Sequence, residues 1–424
     1  MSLSLYRLAT TVLEPLAPLL LHSRARKGKE DPARLSERLG RAGRGRPEGP
    51  LVWIHGASVG ESLSALPLIE LILKRRPDVS VLATSGTVAS AQLMAQRLPA
   101  GAVHQYAPID APAAVGRFLD HWRPDLGVLV ESELWPNLVL QAKARGARLA
   151  LVSARITEHT AEGWAKRPAS ARRLLSAFDL MAPQDEASAE RLVRLGGRDD
   201  LRVNLKLTGR PLDYNRAEFD RLSEAVGDRA VVLGASTHPG EEVLIAGAAR
   251  AADPSALIVI APRHPVRAEA VADELEGQGL NVARRSRGEA LAPDTQVYLA
   301  DTLGELGLFF ALADVVVLGG GFFGGVGGHN PLEPARQAKA VIAGPDMANW
   351  RAIFEGMAAA DAVRLADRDQ LGAALAAWLA DPEAARATGR RAEAYATSAD
   401  ADLTRLWARL ESLLPEARIP EKGP

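Results

Sequence analysis

Several short clusters in the sequence have residue types and spacings suited to reaction chemistry. In Gly56-Ala57-Ser58-Val59-Gly60-Glu61 the small residues let a backbone approach a ligand, and a following helix start offers unpaired N–H groups to an anion. Glu61 falls in the first helical turn. There it is either a capping carboxylate, worth under about 1 kcal/mol, or a general base facing a substrate. The helix terminus favours the ionised form and weakens such a base, whereas burial beside a substrate strengthens it. Thr84-Ser85-Gly86-Thr87 is a second turn with hydroxyls and N–H groups, fit for a ligand or a helix cap. Glu131-Ser132-Glu133-Leu134-Trp135-Pro136 places two acids at i and i+2, able to orient sugar hydroxyls or to stabilise positive charge developing on a ring. Lys206, in Asn204-Leu205-Lys206, is a point charge for phosphate or carboxylate, or else a solvated surface lysine.

The second half adds Gly234-Ala235-Ser236-Thr237-His238-Pro239-Gly240-Glu241 and Ala261-Pro262-Arg263-His264-Pro265, both where a strand gives way to a helix, and Arg263 and His264 read as anion ligands. The densest signal is Gly319-Gly320-Gly321-Phe322-Phe323-Gly324-Gly325-Val326-Gly327-Gly328-His329-Asn330-Pro331-Leu332-Glu333. So many glycines are expected to serve positive φ and close approach to a ligand rather than packing. Pro331 suits a first helical turn, with Asn330 and Glu333 placed to hold sugar or ribose hydroxyls. Asp367-Arg368-Asp369 has the form of a metal-binding Asp-x-Asp but reads as a helix cap. The eight histidines show no metal-ligand spacing, so no metal site and no cofactor are expected.

The elements that must position these groups alternate strand and helix. Expected strands are Leu51–His55, Val79–Thr84, Ala102–Tyr106, Leu126–Val130, Ala147–Val152 and Leu180–Ala182, with Asn204–Lys206 on a last strand. A second series covers Val231–Gly234, Leu257–Ala261, Val282–Arg284, Val297–Leu299, Val315–Leu318, Val341–Ala343 and Val363–Leu365. Helical patterns lie between them, so the expectation is α/β: two Rossmann-like domains with parallel sheets facing a central cleft, ligands at the carboxyl ends of the strands. Expected boundaries are an N-terminal membrane-associated helix and basic flank at 1–48, Rossmann-like domains at 49–208 and 209–395, and a helix and tail at 396–424.

A length of 424 residues favours two domains over one. Lysine plus arginine number 51 against 52 acids, and aromatics are 5%, which argues against a nucleic-acid partner. With no cysteine, disulfides and thiolate chemistry are excluded. Residues 1–50 nevertheless hold ten basic residues against five acids, behind the apolar run Leu3–Leu21. That run has the length of a membrane span but contains Arg7, Glu14, Pro15 and Pro18. It reads as a weak span, a helix in the interface plane beside anionic lipid, or a helix docked on its own protein.

Taken together, His55–Glu61, Glu131–Asn137, Asn204–Lys206, Pro262–Pro265, Asp301–Leu306 and Gly328–Pro334 resemble the 3-deoxy-D-manno-octulosonic acid (Kdo) transferase family in order and spacing. The resemblance implies an inverting, metal-independent GT-B glycosyltransferase of lipopolysaccharide core biosynthesis. It would move Kdo from CMP-Kdo to the lipid A precursor lipid IVA at the cytoplasmic face of the inner membrane. It also implies Glu61 as proton acceptor and Glu131 and Lys206 as transition-state stabilisers. Arg263, His264, Gly304, Glu305, Leu306, Asn330, Pro331, Leu332 and Glu333 would form the CMP site. Ser58, Gly60, Ser85, Glu133, Ser236, Gly320, Gly321, Gly328 and His329 complete the expected substrate contacts. The chain departs from the family's pattern at Ser153, Val203 and Gly321, and in the absence of a basic residue within Phe322–Val326. The alternatives are another metal-free GT-B transferase using a UDP-sugar, or a membrane-bound homologue without turnover.

Overall fold

A computed structural model describes residues 2–416 and divides into two compact units. The first comprises the chain up to Gly209 together with the stretch from Ala399 onward; the second is Arg210–Ser398. Residues 417–424 of the expected C-terminal tail lie outside the described residues.

Unit 1 contains strands β1 (Leu51–His55), β2 (Ser80–Ser85), β3 (Ala102–Tyr106), β4 (Leu126–Val130), β5 (Arg148–Ala154) and β6 (Leu180–Pro183). They form a parallel sheet in the order β3-β2-β1-β4-β5-β6. Every residue of β1 and β4 is buried, because helices cover both faces of the sheet. Side chains alternate between the faces: Leu51 and Trp53 pack with Phe118 and Trp122, whereas Val52 and Ile54 pack with Leu68, Ile69 and Ile72. The strand order reverses between β1 and β4, where His55 lies opposite Leu129. At such a switch point the connections leave in opposite directions and open a crevice at the carboxyl ends.

Unit 2 contains β7 (Val231–Thr237), β8 (Leu257–Pro262), β9 (Val282–Arg284), β10 (Val297–Leu299), β11 (Val315–Leu318), β12 (Ala340–Ala343) and β13 (Arg364–Leu365). The parallel order is β13-β12-β11-β7-β8-β10-β9, so this sheet reverses between β7 and β11. Asn204–Lys206 does not extend a sheet. Leu205–Leu207 is one 3-10 turn, opened by the Asn204 side chain accepting from the Lys206 N–H at 3.0 Å. Two short helices between β5 and β6, Glu158–Ala165 and Pro168–Leu175, were not visible as a sequence pattern. Each is only 8 residues long, and Pro168 starts the second before the first has built a long apolar stripe.

The run Leu3–Leu21 is not one helix. Helix Leu3–Leu13 ends in a 3-10 turn at Glu14–Leu16, and a second helix follows from Ala17 to Arg26. Among the described residues no helix is long and apolar enough to cross a membrane, so the weak-span reading is corrected. Nor is residue range 1–48 a detached segment. Glu14 accepts from the backbone N–H groups of Ala113 (2.9 Å) and Ala114 (2.8 Å), capping a helix whose own N-cap residue, Ala111, has no side chain to do so. Tyr6 donates to Asp110 at 2.9 Å, and Asp110 in turn caps helix Pro136–Ala144 through the N–H groups of Asn137 and Leu138. Much of the expected basic flank is bound internally too: Arg24 and Arg38 both pair with the buried Glu30, and Arg34 with Glu37. Only one face of the helical pair is docked. Leu3, Ala17 and Leu21 are buried, while Leu5, Leu8, Val12, Leu13, Leu16, Leu19 and Leu20 face outward, Leu19 at 71% exposure.

After unit 2 the chain returns, and helix Asp400–Glu411 buries Leu406, Trp407 and Leu410 in the unit 1 core, on helix Val59–Arg75. That helix carries Glu61 at its start, so the end of the chain braces a candidate site residue. Trp407→Ala should destabilise unit 1 by about 3–5 kcal/mol, as large-to-small core changes do. Urea unfolding followed by far-UV circular dichroism would show it, and an unshifted midpoint would contradict this packing.

Candidate active site

The carboxyl ends of β1, β2 and β4 bring together His55, Thr84, Glu131 and Glu133. Trp53 Nε1 lies 2.8 Å from Thr84 Oγ1, which lies 3.0 Å from His55 Nδ1; the opposite ring nitrogen of His55 lies 3.1 Å from Glu133. Trp135 Nε1 also donates to Glu133. Burial works to raise the Glu133 carboxyl, but the bond from His55, the charge of that ring and the bond from Trp135 outweigh it and hold it below its ordinary value. Ser85, by contrast, is closed off. Its buried hydroxyl is bonded to His104 at 2.9 Å, so it does not face a ligand.

Glu61 is the third residue of helix Val59–Arg75 and completes a capping box with Ser58. Its Oε2 accepts from the N–H groups of Ala57 (2.6 Å) and Ser58 (3.2 Å), while Ser58 Oγ accepts from the Glu61 N–H at 3.3 Å. Both readings of this residue therefore meet in one side chain. The cap alone should make Glu61 a stronger acid, yet its carboxyl is raised above the ordinary value. Burial is the largest cause and the negative charge of Glu133 the next; the Ser58 bonds oppose them, and Glu131 adds to the rise. Gly60 is exposed in the same first turn, with room for a side chain.

Glu131, directly after β4, is buried in left-handed backbone at φ 62°. A non-glycine residue held there stores strain, which commonly serves to aim a side chain. Lys206 Nζ lies 2.7 Å from Glu131 Oε1. The lysine's approach depends on Ser153, also left-handed at φ 54°, whose hydroxyl accepts from the Leu205 N–H at 3.3 Å. Three acids and one lysine thus share the switch point of unit 1. Such a site can take a proton from an alcohol and favour positive charge developing on a sugar ring.

The switch point of unit 2 gathers a second group, with Ser236 left-handed at φ 57° at the end of β7. Buried Glu241 accepts from the N–H groups of Gly320 (2.8 Å), Phe322 (3.2 Å) and His238 (3.0 Å), so one carboxylate ties the glycine loop to the end of β7. In the sequence Glu241 closes a motif at a strand-to-helix junction, but spacing alone gives it no role. The same geometry corrects the expectation that the glycines are not there for packing. A Cβ on Gly319 would meet Ser236 O at 2.5 Å, one on Gly328 would meet Met347 Cε at 2.2 Å, and one on Gly344 would meet the Gly321 backbone at 2.3 Å. Left-handed φ is also required, at Gly320 (78°) and Gly328 (74°) among others.

His238 Nε2 lies 2.8 Å from His329 Nε2, the rings nearly parallel, and His264 stands edge-on to His238. Burial, with the nearby charges of His238, Arg263 and His264, pushes His329 down to about 4. Arg263 and His264 are exposed beside this pair. Asn330 accepts from the Leu332 N–H at 3.0 Å and reaches Glu333 at 3.3 Å, opening the short helix Leu332–Ala335, while Pro331 and Leu332 are buried. Glu305, beside Gly304 and Leu306, is held by Arg285 (3.1 Å) and Thr302, so its carboxylate is already engaged. Asp367 accepts from the Gln370 N–H at 2.8 Å, a cap as expected. Among the described residues no group of three or more His, Cys, Asp or Glu is placed to hold a metal ion.

Residues 33–208 match the family described as 3-Deoxy-D-manno-octulosonic-acid transferase (kdotransferase). The chain is 38% identical over 72% of its length to a 3-deoxy-D-manno-octulosonic acid transferase of Rickettsia felis, spanning 66% of that relative. It is 35% identical to one of Bordetella pertussis, over 96% of this chain and 97% of the relative. Among solved structures, the UDP-GlcNAc 2-epimerase of Neisseria meningitidis is similar with a TM-score of 0.54 at 12% identity, covering 84% of this chain and 100% of that one. At that identity the likeness shows the fold, which is of the GT-B class.

Glu241→Ala strips the acceptor from three backbone N–H groups. At about 1–3 kcal/mol for each buried donor left unpaired, the loss should exceed about 3 kcal/mol, and Glu241→Gln, which keeps an acceptor, should lose less. Chemical denaturation of both variants checks this ranking; equal midpoints would mean the loop does not depend on the carboxylate.

Proposed function

The chain belongs to the 3-deoxy-D-manno-octulosonic acid transferase family, and from that premise we propose that it moves Kdo from CMP-Kdo to a hydroxyl of the lipid A precursor lipid IVA, with inversion. The observation that carries the reading is Glu61, an acid whose carboxyl is raised although it caps a helix, beside the Glu131–Lys206 pair. A base must be ionised yet still want a proton, and burial among like charges makes Glu61 such a group.

In this mechanism the Glu61 carboxylate takes the proton of the acceptor hydroxyl as its oxygen attacks the anomeric carbon of Kdo. The bond from that carbon to the phosphate oxygen breaks, and CMP leaves with the electron pair. Glu131 favours the positive charge that develops on the ring, and Lys206 stabilises the leaving phosphate or the Kdo carboxylate. Arg263, His264 and the helix start at Asn330–Glu333 hold the nucleotide. Lysine, arginine and helix N-terminal N–H groups supply positive charge to a single phosphate, which supports a metal-independent reaction.

The acceptor's acyl chains also give the outward face of the N-terminal helices a role. Leu5, Leu8, Val12 and Leu19 would enter the interface of the inner membrane on its cytoplasmic side. Exposed Arg7, Arg26, Lys27 and Lys29 would sit at anionic headgroups.

Glu61→Gln should reduce transfer by about 10²–10⁴-fold while leaving CMP affinity near wild type, the range ascribed to a general base. Mass spectrometry of the product made from CMP-Kdo and lipid IVA reads donor, acceptor and number of transfers at once. Wild-type turnover in that variant would remove Glu61 from the mechanism. Replacing Leu8, Val12 and Leu19 together by Glu should abolish sedimentation with vesicles containing phosphatidylglycerol; unchanged sedimentation would assign lipid contact elsewhere.

A further inference from the structure

Helix Leu3–Leu13 has two faces, each set by helical spacing. Leu5, Leu8 and Val12 point outward, whereas Leu3, Tyr6 and Thr10 are turned toward the body of unit 1. The inner face is held by polar bonds. Tyr6 donates its hydroxyl hydrogen to Asp110 Oδ2 at 2.9 Å. Asn137 Nδ2 donates to Asp110 O at 2.7 Å and to Thr10 Oγ1 at 3.0 Å. A backbone carbonyl only accepts, so the amide nitrogen of Asn137 must face Asp110, and its two hydrogens serve the two partners. Thr10 Oγ1 keeps its own hydrogen for Tyr6 O at 2.9 Å. Asn137 also donates its backbone N–H to Asp110 Oδ2 at 3.1 Å, and Leu138 donates to Oδ1 at 2.8 Å. These groups open helix Pro136–Ala144, whose N-cap residue Trp135 makes no side-chain cap of its own. Immediately before that helix lies Glu131–Trp135, which carries two of the acids at the switch point.

We propose that Tyr6 and Thr10 are positioning residues for the transfer: through Asp110 and Asn137 they fix the start of helix Pro136–Ala144, and with it the segment that aims Glu131. The inference rests on the reading that Glu131 serves the reaction. Glu131 sits in left-handed backbone at φ 62°, a conformation that persists only where its surroundings over-determine it. Upstream the restraint is the sheet, since the Glu131 N–H donates to Val152 O at 3.0 Å, and Ser132 Oγ donates to Arg155 O at 2.7 Å. Downstream it is the helix start. Trp135 Nε1 donates to Glu133, so the segment is closed on itself just before Asn137 anchors it. Asp110 is a firm anchor because its loop is pinned to the N-terminal residues on both sides. The Ile109 N–H donates to Arg38 O at 2.8 Å, and Ala113 and Ala114 donate to Glu14. Apolar packing would let two helices slide, whereas hydrogen bonds restrict both distance and angle. Helix Leu3–Leu13 thus has a task on its inner face that is separate from lipid contact on its outer face.

Turnover measured with CMP-Kdo and lipid IVA in Triton X-100 micelles separates position from vesicle contact. Tyr6→Phe removes one oxygen, and Thr10→Val exchanges a hydroxyl for a methyl group. Each should lower kcat by about 10-fold, within the 10²-fold that a misplacement near 1 Å can cost. KM for CMP-Kdo should stay as in wild type, and so should sedimentation with phosphatidylglycerol vesicles. Thr10→Ser restores the hydroxyl and should recover wild-type kcat. If Tyr6→Phe and Thr10→Val keep wild-type kcat while Glu131→Gln is inactive, the tie has only a structural role, and the inference fails with the reading of Glu131 intact. A loss of kcat seen only with vesicles, together with lost sedimentation, would assign both residues to lipid contact and overturn the proposal. If Glu131→Gln retains turnover, the reading of Glu131 itself fails. A measurement on the wild-type protein needs no variant to fold. The N–H groups of Asn137 and Leu138 should be protected from hydrogen exchange, although first-turn N–H groups lack partners within their helix. Fast exchange at both would mean that Asp110 does not hold the helix start, and would overturn the inference.

Discussion

The carboxylate of Glu61 is held under two opposed demands, and unit 1 is arranged around them. As the third residue of its helix it accepts two backbone N–H groups and closes the first turn, which favours the charge. Partial burial beside Glu133 and Glu131 disfavours the same charge, and the net displacement shows burial and repulsion winning. The cap fixes where the carboxylate points; burial first, and the neighbouring acids after it, raise its hold on a proton.

Unit 2 uses a glutamate at the corresponding place, the helix start after the strand at its switch point, for a different end. Glu241 is fully buried, and the three N–H groups it accepts come from the glycine loop and the end of β7. Its charge is met by hydrogen bonds, so it acts as a fastener. The loop it fastens is glycine-rich for two reasons at once. Some positions need left-handed backbone, and Gly319 lies too close to the Ser236 backbone to admit a side chain.

The N-terminal helices show how charged residues within an apolar run can belong to the docking face. Glu14 spoils Leu3–Leu21 as a continuous span, but it caps one of the helices on which the run sits, and Tyr6 helps to cap another through Asp110. That leaves the leucines of the opposite face outward. A one-dimensional hydropathy pattern sums both faces and cannot separate them.

Strand positions, the parallel α/β class and the clustering of acids, lysine and glycines at strand ends were determined by the sequence itself. Fully buried parallel strands need continuous apolar runs such as Leu126–Val130, and the turns that follow need small or polar residues, so the pattern is local and readable. Ser85, Glu241, the 3-10 turn at Lys206 and the Thr84–His55–Glu133 chain were decided only by tertiary structure. Each depends on a partner far along the chain: His104 for Ser85, Gly320 for Glu241, Ser153 for the turn, and a threonine on β2 for a histidine on β1. Hydrogen-bond direction, burial and the repulsion between acids arise from distances in space, and spacing along a chain carries no information about them until the sheet has set its strand order.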